Sequence, residues 1–444
     1  MSSEKTSAKM GTVDELRRRT RPRLVGGVLL AIAVVAACTG GEDATDAPSP
    51  DRPDGGSLGV VEVADGDAIQ IRSLNAITGD VAWLGLANQR GVELAIADFG
   101  PVHGFDVHLG AGLDEFCSSD GGQAAAQNIV ADVDVVGVIG TSCSVAATAA
   151  APLITGAGMA MIAPSNTSPL LTSDLAGNPG ANYHVGYYRT SNNGLVVGEA
   201  MARFVYSELG LEAAASVHDG DPYSQSIAQA FADSFEALGG TVTAVTAVNK
   251  EDSDMLPVLT EVAAGGPAAL FFPIFQPAGD FLAEQARSAP GLEDVVLLTD
   301  AALLVDGFMS LPQSEGVYFS GPDLRFGGSA NESTGRNAAD LLATYQETYG
   351  EPPSGPYWGH SYDATTLLLE AIKAASRIDG GTLLIDRAGV RQYLNSVRDY
   401  GGIIGAISCD EFGDCGSQKV TVILHLDAGD IEASKDNIVF SFAP

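Results

Sequence analysis

From Ile69 onward, short apolar runs alternate with segments whose apolar residues recur every three to four positions. Ile69 to Leu74 reads as a strand. Gly91 to Phe99 places Val92, Ala95, Ile96 and Phe99 on one helical face, and Phe105, Val107 and Leu109 alternate as a strand. Gln123 to Ala131 is helical, Val133 to Ile139 is a nearly continuous apolar strand, Val145 to Leu153 is helical, and Met159 to Ala163 is a strand. After Tyr188-Arg189 the rhythm restarts. Helices are expected over Gly194–Leu209, Ser224–Leu238, Met255–Ala264 and Gly279–Arg287, with strands at Ala214–His218, Thr241–Ala247, Ala269–Phe272 and Val295–Leu298. This βαβα order is α/β and predicts parallel sheets covered by helices on both faces. Two such runs of similar length argue for two similar lobes. A strand at Val317–Ser320, helices over Arg336–Tyr349 and Tyr362–Ser376, and short β-segments around Val420–Leu426 complete the chain.

The 444 residues are enough for two lobes of ordinary size, and 45% hydrophobic content supplies their cores. The formal charge is −33, which repels nucleic acid and anionic headgroups, so nucleic acid is excluded as a partner. No G-K-[ST] phosphate loop, H-E-x-x-H or G-x-S-x-G occurs, and no cofactor or metal is expected. A catalytic reading needs a nucleophile–base pair or a glycine-rich nucleotide loop after the first strand. That loop, Leu74 to Gly79, has a single glycine, and His103, His108, His184, His218, His360 and His425 are scattered. The chain reads as a binding protein, not an enzyme.

The front of the chain is an address. Arg17 to Arg23 is basic, and Leu24 to Ala37 is an uncharged run of fourteen residues. That is short for a membrane span, which needs about 20 residues, and suits a signal-peptide core. Val35-Ala36-Ala37-Cys38 resembles the bacterial lipobox, so residues 1–37 are expected to be cleaved and Cys38 acylated, as with palmitate. Glu42 to Ser57 is rich in Asp, Pro, Gly, Ser and Ala and reads as part of a flexible tether over residues 38–57. Loss of residues 1–37 leaves a charge near −37. The expected location is extracytoplasmic, lipid-anchored at the outer face of the inner membrane or in the periplasm.

Cys117, Cys143, Cys409 and Cys415 remain, and four cysteines allow three pairings. Cys409 and Cys415 flank a turn-rich loop that favours a local bridge, which leaves Cys117 with Cys143. A zinc site is the other use of four cysteines, but no C-x₂-C pair or neighbouring histidine supports it.

Four segments carry a family likeness: Asn75-Ala76-Ile77-Thr78-Gly79-Asp80-Val81-Ala82 leading to Gly91-Val92-Glu93-Leu94-Ala95; Val138 to Ser144; Ile162 to Pro169; and Val217 to Tyr223. Over residues 69–325 the chain resembles the amino-acid-binding proteins of ABC importers, in the branched-chain (Leu/Ile/Val) group. The resemblance implies the type I periplasmic binding protein fold, two doubly wound parallel-sheet lobes joined by three hinge crossings. The expected crossings lie near Tyr188-Arg189, Gly321-Pro322 and Gly405-Ala406. Lobe I then comprises 58–189 and 323–406, and lobe II 190–322 and 407–444.

The residues agree with a zwitterionic ligand. Thr141 to Val145 joins a strand end to a helix start, where unpaired N–H groups suit an anion. Ser144 is placed either as the helix N-cap or as a carboxylate donor. The resemblance implies the donor role, with the Val145 amide beside it and Thr167 as second hydroxyl. It places the acceptor for the ammonium at the carbonyl of Ser165 or Asn166, with Asp300 as acidic anchor. Tyr223 and Phe275 match aromatic walls, and the Cys117–Cys143 pair matches a disulfide of this group. Asp219 and Asp221 are rival acids that instead suit capping of the helix near Tyr223. Two departures touch the side-chain pocket. Trp83 or Leu84 stands where the family often shows a tyrosine, and Asn166 is larger than its counterpart.

The expectation is thus a monomeric receptor that binds a branched-chain or similar hydrophobic amino acid, or a related amide, and hands it to ABC permease subunits. An amide- or urea-type ligand, or a sensory receptor using the same cleft, is the alternative.

Overall fold

The computed structural model describes residues 58–444. The signal segment, the Cys38 lipidation site and the tether lie outside the described residues. Among the described residues no helix is long and apolar enough to cross a membrane.

The first half opens with β1 (Val60–Val63), then runs β2 (Ile69–Asn75), α1 (Ala82–Phe99), β3 (Val107–His108), β4 (Leu113–Asp114), α2 (Ser119–Val130), β5 (Val135–Gly140), α3 (Ser144–Gly156), β6 (Ala160–Ala163) and β7 (Tyr187–Arg189). Its sheet has the order β3-β2-β5-β6-β7, with β4 also on β2, and every pairing is parallel. All six residues of β5 are buried, as a central parallel strand requires. Val138 packs with α2 and α3, while Ile139 packs on the opposite side with residues of a later helix.

The second half runs α4 (Gly194–Arg203), β8 (Ala213–His218), α5 (Pro222–Ala237), β9 (Thr241–Ala247), α6 (Leu256–Ala264), β10 (Ala269–Phe271), α7 (Ala278–Ala286), β11 (Val296–Asp300), α8 (Asp306–Met309) and β12 (Tyr318–Gly321). The chain then returns to the first half through α9 (Ala338–Tyr349) and α10 (Trp358–Ala374), a hairpin of β13 (Ser376–Asp379) and β14 (Thr382–Asp386), α11 (Arg387–Ser396), and a hairpin of β15 (Tyr400–Gly402) and β16 (Gly405–Ile407). It ends with β17 (Val420–Leu424), α12 (Ile431–Asp436) and β18 (Ile438–Phe442). The second sheet is ordered β18-β17-β12-β11-β10-β8-β9, parallel except for β17 and β18. Helices α4 and α5 cover one face and α6 to α8 the other.

The chain therefore passes between the sheets three times. The first passage follows β7 and the second follows β12. The third is not at Gly405-Ala406. Gly405-Ala406 sits in the β15–β16 hairpin, which is held to the first half by the Asp363 carboxylate accepting from the Ile403 and Ile404 amides at 3.0 Å each. The segment after it also stays there. The Arg189 amide donates to Gly413 O, and the Cys415 amide donates to Arg189 O, both at 2.9 Å. The passage is the stretch from Gly416 to Lys419, so residues 407–415 belong beside the first sheet, not the second. A Gly-Gly and Gly-Ala texture looks like a break in sequence, yet here it forms a tight turn.

Helix α1 also differs, beginning at Ala82 rather than Gly91. This places Trp83 and Leu84 in its first turn. Gly85 permits the early start, because a Cβ there would meet Ala76 O at 1.8 Å.

Candidate ligand-binding site

The loops after β2, β5 and β6 leave one edge of the first sheet, and those after β8, β10 and β11 leave the facing edge of the second. Between them lies an inner cavity with Leu84, Ser144 and Ser165 on one side and Tyr223, Phe275 and Ala302 on the other.

The first-half loops are held from behind. Cys143 is the N-cap of α3, with extended backbone and no side-chain cap, so Ser144 is the first helical residue rather than the cap. The Ala147 amide bonds to Cys143 O at 3.1 Å, which leaves the amides of Ser144, Val145 and Ala146 without helical acceptors. Those three N–H groups and the helix dipole make an anion site. Cys143 is tied to Cys117 by a disulfide, and Cys409 to Cys415 by the other. The Cys143 amide donates to Glu115 Oε1 at 3.0 Å, and burial holds that fully enclosed carboxyl well above its ordinary range.

Thr167 is buried, with its Oγ1 unpartnered, and the next amide, that of Ser168, approaches Ser144 Oγ at 3.4 Å. A buried hydroxyl without a partner is costly unless a ligand or water completes it. The Asn166 carbonyl, one of the two expected ammonium acceptors, is engaged by Ser191 Oγ at 2.6 Å and Arg189 Nη1 at 3.2 Å. Within the protein it is already satisfied. Ser165 Oγ donates to Ser142 O and accepts from Asn88 Nδ2, both at 3.0 Å. Sequence reasoning missed Asn88. A fully buried amide on the inner face of α1 was its only signal.

In the second half, Asp300 ends β11 and is buried, with Oδ2 accepting from the Tyr223 hydroxyl at 2.5 Å and Oδ1 from the Ala302 amide at 3.1 Å. Burial lifts its carboxyl to about 7, against the pull of the Tyr223 and Ala302 donors. Asp221 caps α5 through the Tyr223 amide at 2.9 Å and pairs with Lys250 at 2.6 Å. Asp219 accepts from the Asp221 amide at 3.0 Å and from Ser224 Oγ. Both rival acids are engaged in holding the loop, as their positions suggested.

Aromatic rings close the space between the halves. Phe275 stacks on Tyr223 with centroids 5.1 Å apart and lies 6.4 Å from Trp83. Leu84 packs with Ala301 and Tyr357. Tyr357, just ahead of α10, was not singled out from the sequence, because it lies beyond the matching segments and no local motif marks it.

A model of the periplasmic binding protein family matches residues 68–420. The chain belongs to that family. Among its relatives, the leucine-, isoleucine-, valine-, threonine- and alanine-binding protein of Pseudomonas aeruginosa is 26% identical over 322 residues, covering 70% of this chain and 80% of that one. The Leu/Ile/Val-binding protein of Escherichia coli is 23% identical over 380 residues, covering 81% and 91%. A leucine-binding protein from Thermotoga maritima superposes with a TM-score of 0.72 at 24% identity, covering 85% of this chain and 99% of that one. A solute-binding protein from R. palustris in complex with benzoate gives 0.67 at 18% identity, with 85% and 98% covered. The type I fold is shared with the two solved structures.

In this periplasmic binding protein, Trp83, Leu84, Ser144, Ser165, Tyr223 and Phe275 all border the inner cavity. Asp300 lies behind Tyr223, and Val145 faces a neighbouring space on the other side of Phe275. Among the described residues, no cluster of three or more His, Cys, Asp or Glu side chains is placed to hold a metal ion.

Proposed function

We propose that this chain is the extracytoplasmic solute receptor of an ABC importer, and that it binds an α-amino acid between two closing lobes. The observation that carries this is the opposition of charges across one cleft. The uncapped start of α3, with Ser144, offers donors on one side. On the other side the buried Asp300 carboxyl lies behind Tyr223, whose hydroxyl donates to it, and supplies the negative charge once ionised. Only a ligand with a carboxylate and an ammonium satisfies both. Ser144 and Thr167 hydroxyls and the Val145 amide hold the carboxylate, while Asp300 and the Ser165 carbonyl hold the ammonium. The relatives' names support an amino acid and leave the side chain open, since they span leucine, isoleucine, valine, threonine and alanine. Micromolar binding needs about −8 kcal/mol, within reach of two charge-assisted contacts in a buried site.

The two lobes meet through passages after Arg189, after Gly321 and at Gly416–Lys419, which absorb the closing rotation. Acylation at Cys38 anchors the mature, monomeric protein, and the closed form docks on the permease. Mass spectrometry of the membrane fraction tests the anchor: a diacylated Cys38 is expected, and an unmodified Cys38 contradicts it. Calorimetry with paired ligands tests the site. An α-amino acid should bind at least about 100-fold more tightly than its deaminated carboxylate; equal affinities contradict the reading.

A further inference from the structure

The inner cavity holds only about 10 Å³, room for about one water molecule, because Trp83, Leu84, Tyr223, Phe275 and Tyr357 themselves fill the space between the halves. On the other side of Phe275 the same cleft opens into an outer chamber of about 480 Å³. Phe275 borders both spaces. The start of α3 borders both as well, Ser144 facing the inner cavity and Val145 the outer chamber. A carboxylate seated on the α3 amides therefore has the outer chamber within reach of the rest of its molecule.

The walls of that chamber are mixed: Val81, Phe116, Val145, Phe275, Pro277 and Ala278 are apolar. Among the polar groups, Thr78 and Asp80 come from the first half, and Lys250, Glu251 and Gln276 from the second. Each donor group among them makes one bond within the protein. Thr78 Oγ1 donates to Asp114 at 2.5 Å, the Lys250 ammonium pairs with Asp221 at 2.6 Å, and the Gln276 amide nitrogen donates to Asp280 at 2.7 Å. The acceptors lining the chamber are the exposed carboxylates of Asp80 and Glu251 and the Gln276 amide oxygen. A long aliphatic stem would pack on the apolar part of that wall, and an end carrying N–H groups would find partners among the acceptors, which a short branched aliphatic group leaves unused.

We propose that the ligand is an α-amino acid with a long side chain ending in hydrogen-bond donors (an amide, a guanidinium or an ammonium), directed past Phe275 into the outer chamber. The proposal rests on the amino-acid reading above and departs from the aliphatic preference in the relatives' names.

Titration calorimetry of the purified protein with leucine, glutamine, arginine and glutamate tests it. Glutamine or arginine should bind about tenfold or more tightly than leucine, with glutamate weakest. Leucine as the tightest ligand overturns the proposal but leaves the amino-acid reading standing. No binding by any of the four brings down both. In a second arm, Asp80→Ala combined with Glu251→Ala should weaken the long-chain ligand by about fivefold or more. Both positions are exposed, so the melting temperature should not move; unchanged affinity in that variant also overturns the proposal.

Discussion

Burial at the end of β11 lifts the Asp300 carboxyl to about 7, and the Tyr223 hydroxyl that donates to it pulls the other way. This sets two pH dependences of opposite sense. In the unliganded protein the carboxyl sits above its usual value near 3.9, so its contribution to stability is full below about pH 4 and lost as pH rises to about 7. If Asp300 anchors the ammonium as proposed, binding needs the ionised form, so affinity for a zwitterion should fall about tenfold per pH unit below 7, with a proton released on binding. Calorimetry in buffers of different ionisation enthalpy between pH 5.5 and 8 measures both, and a flat profile would count against Asp300 as the anchor. Asp300→Asn should lower affinity by about 2–5 kcal/mol while leaving the free protein at least as stable, since it removes a buried charge. Asp300 and Ser144 were singled out because each follows an apolar strand, Ser144 within a segment that carries the family likeness. Tyr357 and Asn88 were not, because their roles depend on tertiary neighbours far away in the chain: Asn88 on Ser165 and Tyr357 on Leu84.

At the scale of elements, the start of a helix does the positioning at both sheet edges. Helix α3 begins without a side-chain cap, and its first turn is held by the Cys117–Cys143 bridge and by Glu115. A capped start would satisfy the very amides that a carboxylate needs. Helix α1 begins against the β2 loop, and Gly85 is what allows the close approach. In Gly85→Ala the new methyl would collide with the Ala76 carbonyl, so a loss of about 1–3 kcal/mol is expected in chemical denaturation. The shift would also displace Trp83 and Leu84, so ligand affinity should fall with it; a fully stable variant would mean the turn relaxes freely. Periodicity located most helices and strands of the two sheets and missed β4, β7, β18 and α8. It placed the start of α1 nine residues late because Trp83 to Arg90 mixes apolar, amide and glycine residues on the inner face, where Asn88 packs among polar loops. The β13–β14 hairpin and α11 carry weak patterns and were not located.

Across the whole molecule, the ligand loops and the passages between sheets share one buried ion pair. Arg189 is fully buried, pairs with Asp414, and donates to Ser168 O at 2.8 Å and Thr172 Oγ1 at 2.6 Å. Asn193 Nδ2 donates to the other oxygen of Asp414 at 3.1 Å. One guanidinium thus links the Ser165–Ser168 loop to the first and third passages. Asp414→Ala would leave that cation buried and unpaired, costing about 3–5 kcal/mol in urea denaturation. A loss under about 1 kcal/mol would show that water or another carboxylate takes its place. The third passage was misplaced in the sequence because its true position is fixed by this long-range pairing and not by local composition. A crystal structure of the protein with its amino-acid ligand bears most directly on the central claim. The account predicts the ligand carboxylate on the amides at the start of α3 with Ser144, and its ammonium against Asp300 and the Ser165 carbonyl. A ligand whose ammonium points away from Asp300, or one seated outside the cleft between the two sheets, would contradict it.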